Sequence, residues 1–265
     1  MNEEKYVEFS RIQMVFGSGT TRYHALDGVD LTLAKGEFVS LIGHSGCGKS
    51  TLLNLLAGLQ SPTEGAVKVA GKPVTGPGLD RAVVFQSHSL LPWLSVEANV
   101  QLAIDSRHPE WTRRQRKEEA GRLVDLVHLG AHARKKPSEL SGGMRQRAGI
   151  ARAFAAQPAV LLMDEPFGAL DALTRGSMQD ELTELWQKER TTVLMITHDV
   201  DEAIFLSDRI ILMSNGPRAR IAQQWNVDIP RPRTRESMLE HSRYLSLKRQ
   251  LIHSLNDSHF LSSAA

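Results

Sequence analysis

The stretch Gly43-His44-Ser45-Gly46-Cys47-Gly48-Lys49-Ser50 decides how this chain is read. It fits the pattern G-x-x-x-x-G-K-[ST]. The apolar run Phe38-Val39-Ser40-Leu41-Ile42 before it reads as a buried strand, and Thr51-Leu52-Leu53-Asn54-Leu55-Leu56-Ala57 after it reads as a helix. Strand, glycine-rich loop and helix, in that order, make a phosphate site. The glycines let successive backbone N–H groups and the helix N-terminus turn onto one anion. In that arrangement Lys49 reaches the β- and γ-phosphates of a nucleoside triphosphate, and Ser50 offers its hydroxyl to Mg2+. Cys47 lies inside the loop but the cradle does not need its side chain. It reads as a small filler, and alkylating it is expected to block nucleotide.

Bulk properties narrow the class. A chain of 265 residues can bury a substantial core. Its 41% hydrophobic and 23% charged residues are those of a soluble globular protein. A formal net charge of only +2 gives no electrostatic case for nucleic-acid binding. The polar start Met1-Asn2-Glu3-Glu4-Lys5 lacks a signal-peptide profile. No run approaches the roughly 18 uninterrupted apolar residues of a membrane span. One cysteine forbids an internal disulfide and suits a reducing cytosol.

Moving outward from the loop, strand-like runs cover Val7 to Val15, Leu26 to Leu33, Ala66 to Ala70 and Ala82 to Phe85. From about Ser95 to Ala156 the pattern turns helical, with Ala120, Leu123, Val124 and Val127 at helical spacing between Trp111 and Leu129. Strand signals return at Val160 to Met163, Thr192 to Ile196 and Ile210 to Met213. Helical stretches separate them, which predicts a parallel α/β sheet with a helical insertion. After Asn215-Gly216-Pro217 the chain carries Pro230-Arg231-Pro232-Arg233 and ends in an expected helix near Ser237 to Leu255. That segment is too short for a substantial extra regulatory domain. The arginines from Arg231 to Arg235 read as a solvated tail in preference to a headgroup-binding patch.

Two further stretches carry chemistry. Val160-Leu161-Leu162-Met163-Asp164-Glu165 is an apolar strand ending in two carboxylates. Burial on both faces would put Asp164 at the strand's carboxyl end, near the Mg2+ held by Ser50. Glu165 is then placed to polarise a water for in-line attack on the γ-phosphate. A lone Asp-Glu would more often be a solvated turn; the phosphate loop in the same chain favours the functional reading. In Leu140-Ser141-Gly142-Gly143-Met144-Arg145-Gln146, Ser141 is a good N-cap, and two glycines leave bare N–H groups for an anion. A second phosphate-seeking helix start in one chain is redundant unless it serves the nucleotide of another subunit.

Leu140 to Gln146 resembles the signature sequence of ABC transporter ATPases, and the resemblance covers nearly the whole chain. Gln86, in Val83-Val84-Phe85-Gln86, looks like the family's glutamine loop, which senses the γ-phosphate and Mg2+. Ala169-Leu170-Asp171 is similar to the loop that crosses the dimer interface, although Gly168 stands where serine is commoner. His198, in Ile196-Thr197-His198-Asp199, matches the switch histidine; alone it would more often be a structural histidine. Phe16 looks like the aromatic that stacks on adenine, with Tyr23 as a competitor.

The resemblance implies one ABC ATPase domain over residues 1–265. It has a RecA-like α/β core with an N-terminal antiparallel β subdomain (about 1–87 and 158–215), an inserted α-helical subdomain (88–157) and a short C-terminal extension (216–265). It implies ATP contacts from Phe16, Gly43, His44, Ser45, Gly46, Cys47, Gly48, Lys49, Ser50 and Thr51. Ser141, Gly142 and Gly143 of a partner would complete the site. Mg2+ would be held by Ser50, Gln86 and Asp164, and hydrolysis carried by Glu165, His198, Gln86 and Lys49. Two subunits, identical or paralogous, would sandwich two ATP molecules.

Family members without membrane spans work with separate permease subunits, and indirectly with a periplasmic or lipid-anchored substrate-binding protein. They sit peripherally on the cytoplasmic face of the bacterial inner membrane. Ser87-His88-Ser89-Leu90-Leu91-Pro92-Trp93-Leu94 is more apolar than a surface loop needs. It reads as a groove for a permease helix, with local core packing as the alternative. Gly78 to Gln86 and Leu90 to Trp93 look like the importers of nitrate, taurine, alkanesulfonates and cyanate. Met213 to Pro217 with Ile229 to Arg233 is most similar to the nitrate group. ABC ATPases of DNA repair or translation carry coiled coils, a second ATPase copy or a basic face, and none of these is present here.

Overall fold

The strand Val7–Phe16 (β1) explains how the first sheet forms. Val7 and Phe9 point to the core, and so do Ile12 and Met14, although the two pairs are out of phase for one strand. The register shows why: Phe9 faces Leu31 while Ile12 faces Val29, so one extra residue is inserted. Arg11, at φ 49°, takes up this bulge and returns the apolar side chains to the same face.

The computed structural model describes residues 3–85, 89–168 and 170–262. Contacts divide it into two units, Met1–Pro77 with Thr192–Ala265, and Gly78–Thr191. After β1 come β2 (Tyr23–Leu33), β3 (Phe38–Ile42), α1 (Lys49–Ala57), β4 (Glu64–Val69) and β5 (Lys72–Pro73). The second unit holds β6 (Arg81–Val84), α2 (Val96–Arg107), α3 (Arg113–Leu126), α4 (Gly142–Ala155), β7 (Val160–Asp164) and α5 (Ala172–Glu189). The chain then returns to the first unit through β8 (Thr192–Ile196), α6 (Val200–Leu206), β9 (Arg209–Met213), β10 (Ile221–Asn226), α7 (Arg235–Glu240) and α8 (Ser242–Ser262).

In the first unit, β2, β1, β4 and β5 make an antiparallel sheet in that order. β3 is buried along its whole length, as its unbroken apolar run predicts for a parallel strand covered on both faces. It pairs in parallel with β8 and β9. In the second unit β6 and β7 pair in parallel. The helices α2, α3 and α4 share a core that includes Val100, Ile104, Leu123, Val124, Ala148 and Ala151. Ala120, Leu123 and Val124 are buried as their spacing predicts, and Thr112 with Gln115 closes a capping box at the start of α3.

Three expectations for the C-terminal region need correction. β10 is a strand that hydropathy did not announce. Gln223, Gln224 and Asn226 break its apolar pattern, and it exists because β9 offers an edge, with Ile221 opposite Met213 and Trp225 opposite Ile210. It runs antiparallel, so this sheet is mixed. The expected single helix is two, α7 and α8, parted at His241, whose backbone is extended.

The arginine run is not a solvated tail. Arg231 donates to Asp208 and to the Leu206 carbonyl, and Arg235 lies over the Phe205 ring. Arg233 is only 6% exposed. It donates to the carbonyls of Ile204, Phe205 and Ser207 at the end of α6, and to those of Ile229 and Val227. A helix end leaves carbonyls without intrahelical partners, and a forked guanidinium answers several at once. Burial pushes this guanidinium down to about 10, so it remains charged at neutral pH.

Candidate functional site

The loop between β3 and α1 is shaped by its glycines. Gly48 has φ 89°, and a Cβ there would lie 2.6 Å from Leu26 Cδ2. Gly43 has φ 146°, and its Cβ would crowd Cys47 Sγ at 3.0 Å and the Met213 carbonyl at 3.1 Å. At Gly48 the Leu26 tip could yield, but at both positions the positive φ strains any residue other than glycine. Lys49 Nζ donates to the Gly43 carbonyl at 2.7 Å and to the His44 carbonyl at 2.8 Å. The exposed Ser50 stands in the first turn of α1, where helix N–H groups favour an anion. Cys47 is buried, and burial pushes its thiol up. It fills the loop from within, so alkylation requires the loop to open first.

His198 is brought beside this loop by strand pairing. Leu41 of β3 lies opposite Ile196 of β8, so Gly43 and His198 each leave neighbouring parallel strands two residues further on. The carboxyl ends of such strands are where open α/β sheets bind ligands. His198 is exposed, while Thr197 behind it is buried and accepts the Asp199 N–H. Asp199 then caps α6, accepting from the N–H groups of Asp201 and Glu202.

Phe16 and Tyr23 are cross-strand partners at the open end of β1 and β2, exposed by 37% and 45%. A cavity of about 530 Å3 next to the loop is lined by Tyr23, His44, Ser45, Gly46, Asn215, Gly216 and Pro217. Tyr23 belongs to its wall and Phe16 does not.

In the second unit, Asp164 is the last residue of β7 and is half-buried. Glu165 follows with φ 47°, a left-handed backbone that costs a non-glycine residue about 1–3 kcal/mol. The Gly168 N–H closes this turn onto the Glu165 carbonyl. A Cβ on Gly168 would sit 3.6 Å from Glu165 atoms, an ordinary contact, so the glycine found in place of serine leaves the turn unchanged.

Ser141 caps α4 by accepting the Met144 N–H. A Cβ on Gly143 would meet Thr174 Cγ2 at 2.9 Å and Leu170 Cδ2 at 3.3 Å, so this glycine permits the start of α4 to lie against that of α5. Asp171 caps α5, and its bond with Thr174 holds its carboxyl below the usual range. The two segments expected to face another subunit therefore adjoin.

Gln86, Ser87, His88 and Ala169 lie outside the described residues. In the rest of the loop expected to receive a permease, Leu90 packs on the helical core while Trp93 is 67% exposed. The fully buried Asn99 holds this loop, accepting from the Leu91 N–H and donating to the carbonyls of Leu91, Leu94 and Ser95. Sequence reasoning missed Asn99. Its signal was an amide set between Val96 and Val100 on the buried side of α2.

A glycine-rich phosphate loop at the end of a buried parallel strand, with a histidine just beyond the end of the adjacent strand, defines a P-loop nucleotide-binding protein. The family described as ABC transporter matches residues 26–168, and the chain belongs to that family. The bicarbonate transport ATP-binding protein CmpC of Synechococcus elongatus is 52% identical over 90% of this chain. The chain spans only 36% of that relative's length. The nitrate transport protein NasD of Klebsiella oxytoca is 48% identical, over 94% of this chain and 95% of its own. Among solved structures, the dimeric ATP-binding cassette MJ0796 in a post-hydrolysis state with ADP and Pi is 31% identical, with a TM-score of 0.76 over 84% of this chain and all of its own.

Proposed function

We propose that this chain is the ATP-hydrolysing subunit of an ABC importer for a small anion, nitrate in the first place. The observation that carries the ATPase reading is the register of β3 with β8, which sets the phosphate loop and His198 side by side. Lys49 and the N–H groups of the loop bind the phosphates, and His198 meets the γ-phosphate. Glu165 orients and deprotonates the attacking water, and Gln86 senses the γ-phosphate. Ser141, Gly142 and Gly143 of a second subunit close the site from the opposite side. Phosphoryl transfer asks mainly for positioning and charge stabilisation, and this set provides both.

The hydroxyl of Ser50, the carboxylate of Asp164 and the amide oxygen of Gln86 are hard oxygen donors of the kind Mg2+ prefers. Bound there, Mg2+ would neutralise charge on the β- and γ-phosphates. ATP joins the two subunits because its γ-phosphate contacts both, and hydrolysis ends that differential binding.

The partner beyond the dimer is a membrane-embedded permease, one of whose helices docks in the groove at the loop carrying Trp93. Among the described residues no helix is long and apolar enough to cross a membrane. We place the chain on the cytoplasmic face of the inner membrane. Nitrate rests on NasD, which matches this chain over nearly its full length. A second reading, bicarbonate, rests on CmpC. Both are planar monovalent anions, and this subunit touches neither, so closely related ATPases can serve either.

The test is uptake of labelled nitrate, bicarbonate and taurine in cells whose own copy carries Glu165→Gln. Loss of nitrate uptake alone supports the first reading, and loss of bicarbonate uptake alone the second. Normal uptake of all three by a strain accumulating the variant would overturn these substrates and turn the search to other anions, cyanate and alkanesulfonates among them, before the non-transport reading. In the purified protein, Glu165→Gln is expected to bind ATP and accumulate as a closed dimer.

A further inference from the structure

The C-terminal helix α8 touches two segments that the proposed chemistry places at the γ-phosphate. Near its start, Tyr244 Oη donates to Asp201 Oδ1 at 2.7 Å, and Lys248 Nζ donates to Asp201 Oδ2 at 2.8 Å. Asp201 lies in the first turn of α6, immediately behind His198 and its neighbour Asp199. Eleven residues beyond Tyr244, the Leu255 carbonyl is 2.9 Å from Nε2 of His44, the second residue of the phosphate loop. Leu247 and Leu251 between these points are fully buried, and Ser254 Oγ donates to Gln223 of β10. At 1.5 Å per residue, the helix spans about 16 Å between its two attachments.

α6 has seven residues, too few to hold its shape without tertiary support. Arg233 secures its end, and the pair Tyr244 and Lys248 secures its beginning. The bond to Asp201 holds the Lys248 ammonium above its ordinary range, as expected for a bridge made in the folded state.

We propose that α8 is a strut that sets the position of His198 relative to the phosphate loop. Tyr244 and Lys248 are positioning residues that act through Asp201 and α6. The inference rests on the ATPase reading for its effect on rate. Its mechanical part stands on the contacts alone. Displacing a catalytic group by about 1 Å can cost up to a hundredfold in rate, so a loosened strut lowers turnover while the phosphate loop still binds ATP.

The test uses the full chain with the double change Tyr244→Phe and Lys248→Met, alone and combined with His198→Ala. The double change is expected to lower kcat about fivefold and leave KM for ATP within about twofold. In the His198→Ala background it is expected to add nothing, because both changes act on one step. Lys248→Arg with Tyr244 intact is expected to retain the wild-type rate. An equal fold loss in both backgrounds, or a raised KM with kcat unchanged, overturns the proposal. Amide hydrogen exchange over residues 198–206 gives a readout independent of catalysis: faster exchange in the double variant supports the strut, and unchanged exchange overturns it. A wild-type chain that hydrolyses no ATP would refute the ATPase reading and leave the exchange result to decide the strut.

Discussion

Arg233→Met keeps the apolar stem of the side chain and removes every donor from a site that is 6% exposed. Three nitrogens now serve five carbonyls. The best contacts are Nη1 to Ser207 at 2.7 Å, Nη1 to Ile204 at 2.9 Å and Nε to Ile229 at 3.0 Å. Those to Phe205 at 3.1 Å and Val227 at 3.3 Å are longer, and Nη1 is shared. Each buried acceptor left without a donor costs about 1–3 kcal/mol. Counting the three best contacts at the low end, because helix-end carbonyls can turn to water, gives about 3 kcal/mol. The removed charge no longer has to be desolvated, which keeps the figure from rising. At roughly 2–4 °C per kcal/mol for a chain near this size, Tm should fall by about 6–12 °C. Circular dichroism melts of the wild type, Arg233→Met and Arg233→Lys would measure it, with Lys intermediate because one ammonium cannot reach carbonyls on both sides. A fall below about 2 °C, under 1 kcal/mol, would refute the view that this arginine ties the C-terminal segment to α6.

Other outcomes follow from the site. Lys49→Ala should weaken ATP binding by at least about tenfold in equilibrium titration, since a charge-assisted phosphate contact is worth about 1.5–3 kcal/mol. Glu165→Gln should leave that affinity near wild type while abolishing steady-state phosphate release. Burial pushes the Cys47 thiol up, so less thiolate is present in the folded chain than in the unfolded one at the same pH. Iodoacetamide should therefore label Cys47 slowly at pH 8.5, and fast once urea unfolds the protein; equal rates would contradict its burial. Trp93→Ala removes an exposed ring, so Tm and ATPase activity should hold while uptake in cells falls.

The phosphate loop, the buried strands beside it and the cap Ser141 were all legible. Each is a local pattern, a glycine spacing, an unbroken apolar run or a cap residue before a helix, and local patterns survive in one dimension. β10 was not legible, because a strand with Gln223 and Gln224 at its centre forms only where another edge receives it. Arg233 was misread for a similar reason. Next to Pro230 and Pro232 it looks like a tail, and only the carbonyls at the end of α6, far off in sequence, show what it satisfies. The choice between Phe16 and Tyr23 depends on which ring faces the cavity wall, and spacing along β1 and β2 carries no such information.

Lys49 hands two of its three N–H donors to the loop's own carbonyls, those of Gly43 and His44. A ligand must displace partners already in place, and a neutral carbonyl or hydroxyl brings nothing better than what it would remove. Only a formal negative charge gains from the exchange, and a polyanion gains most. The loop therefore screens what enters by charge before it tests shape, and the abundant uncharged solutes of a cell pass it by.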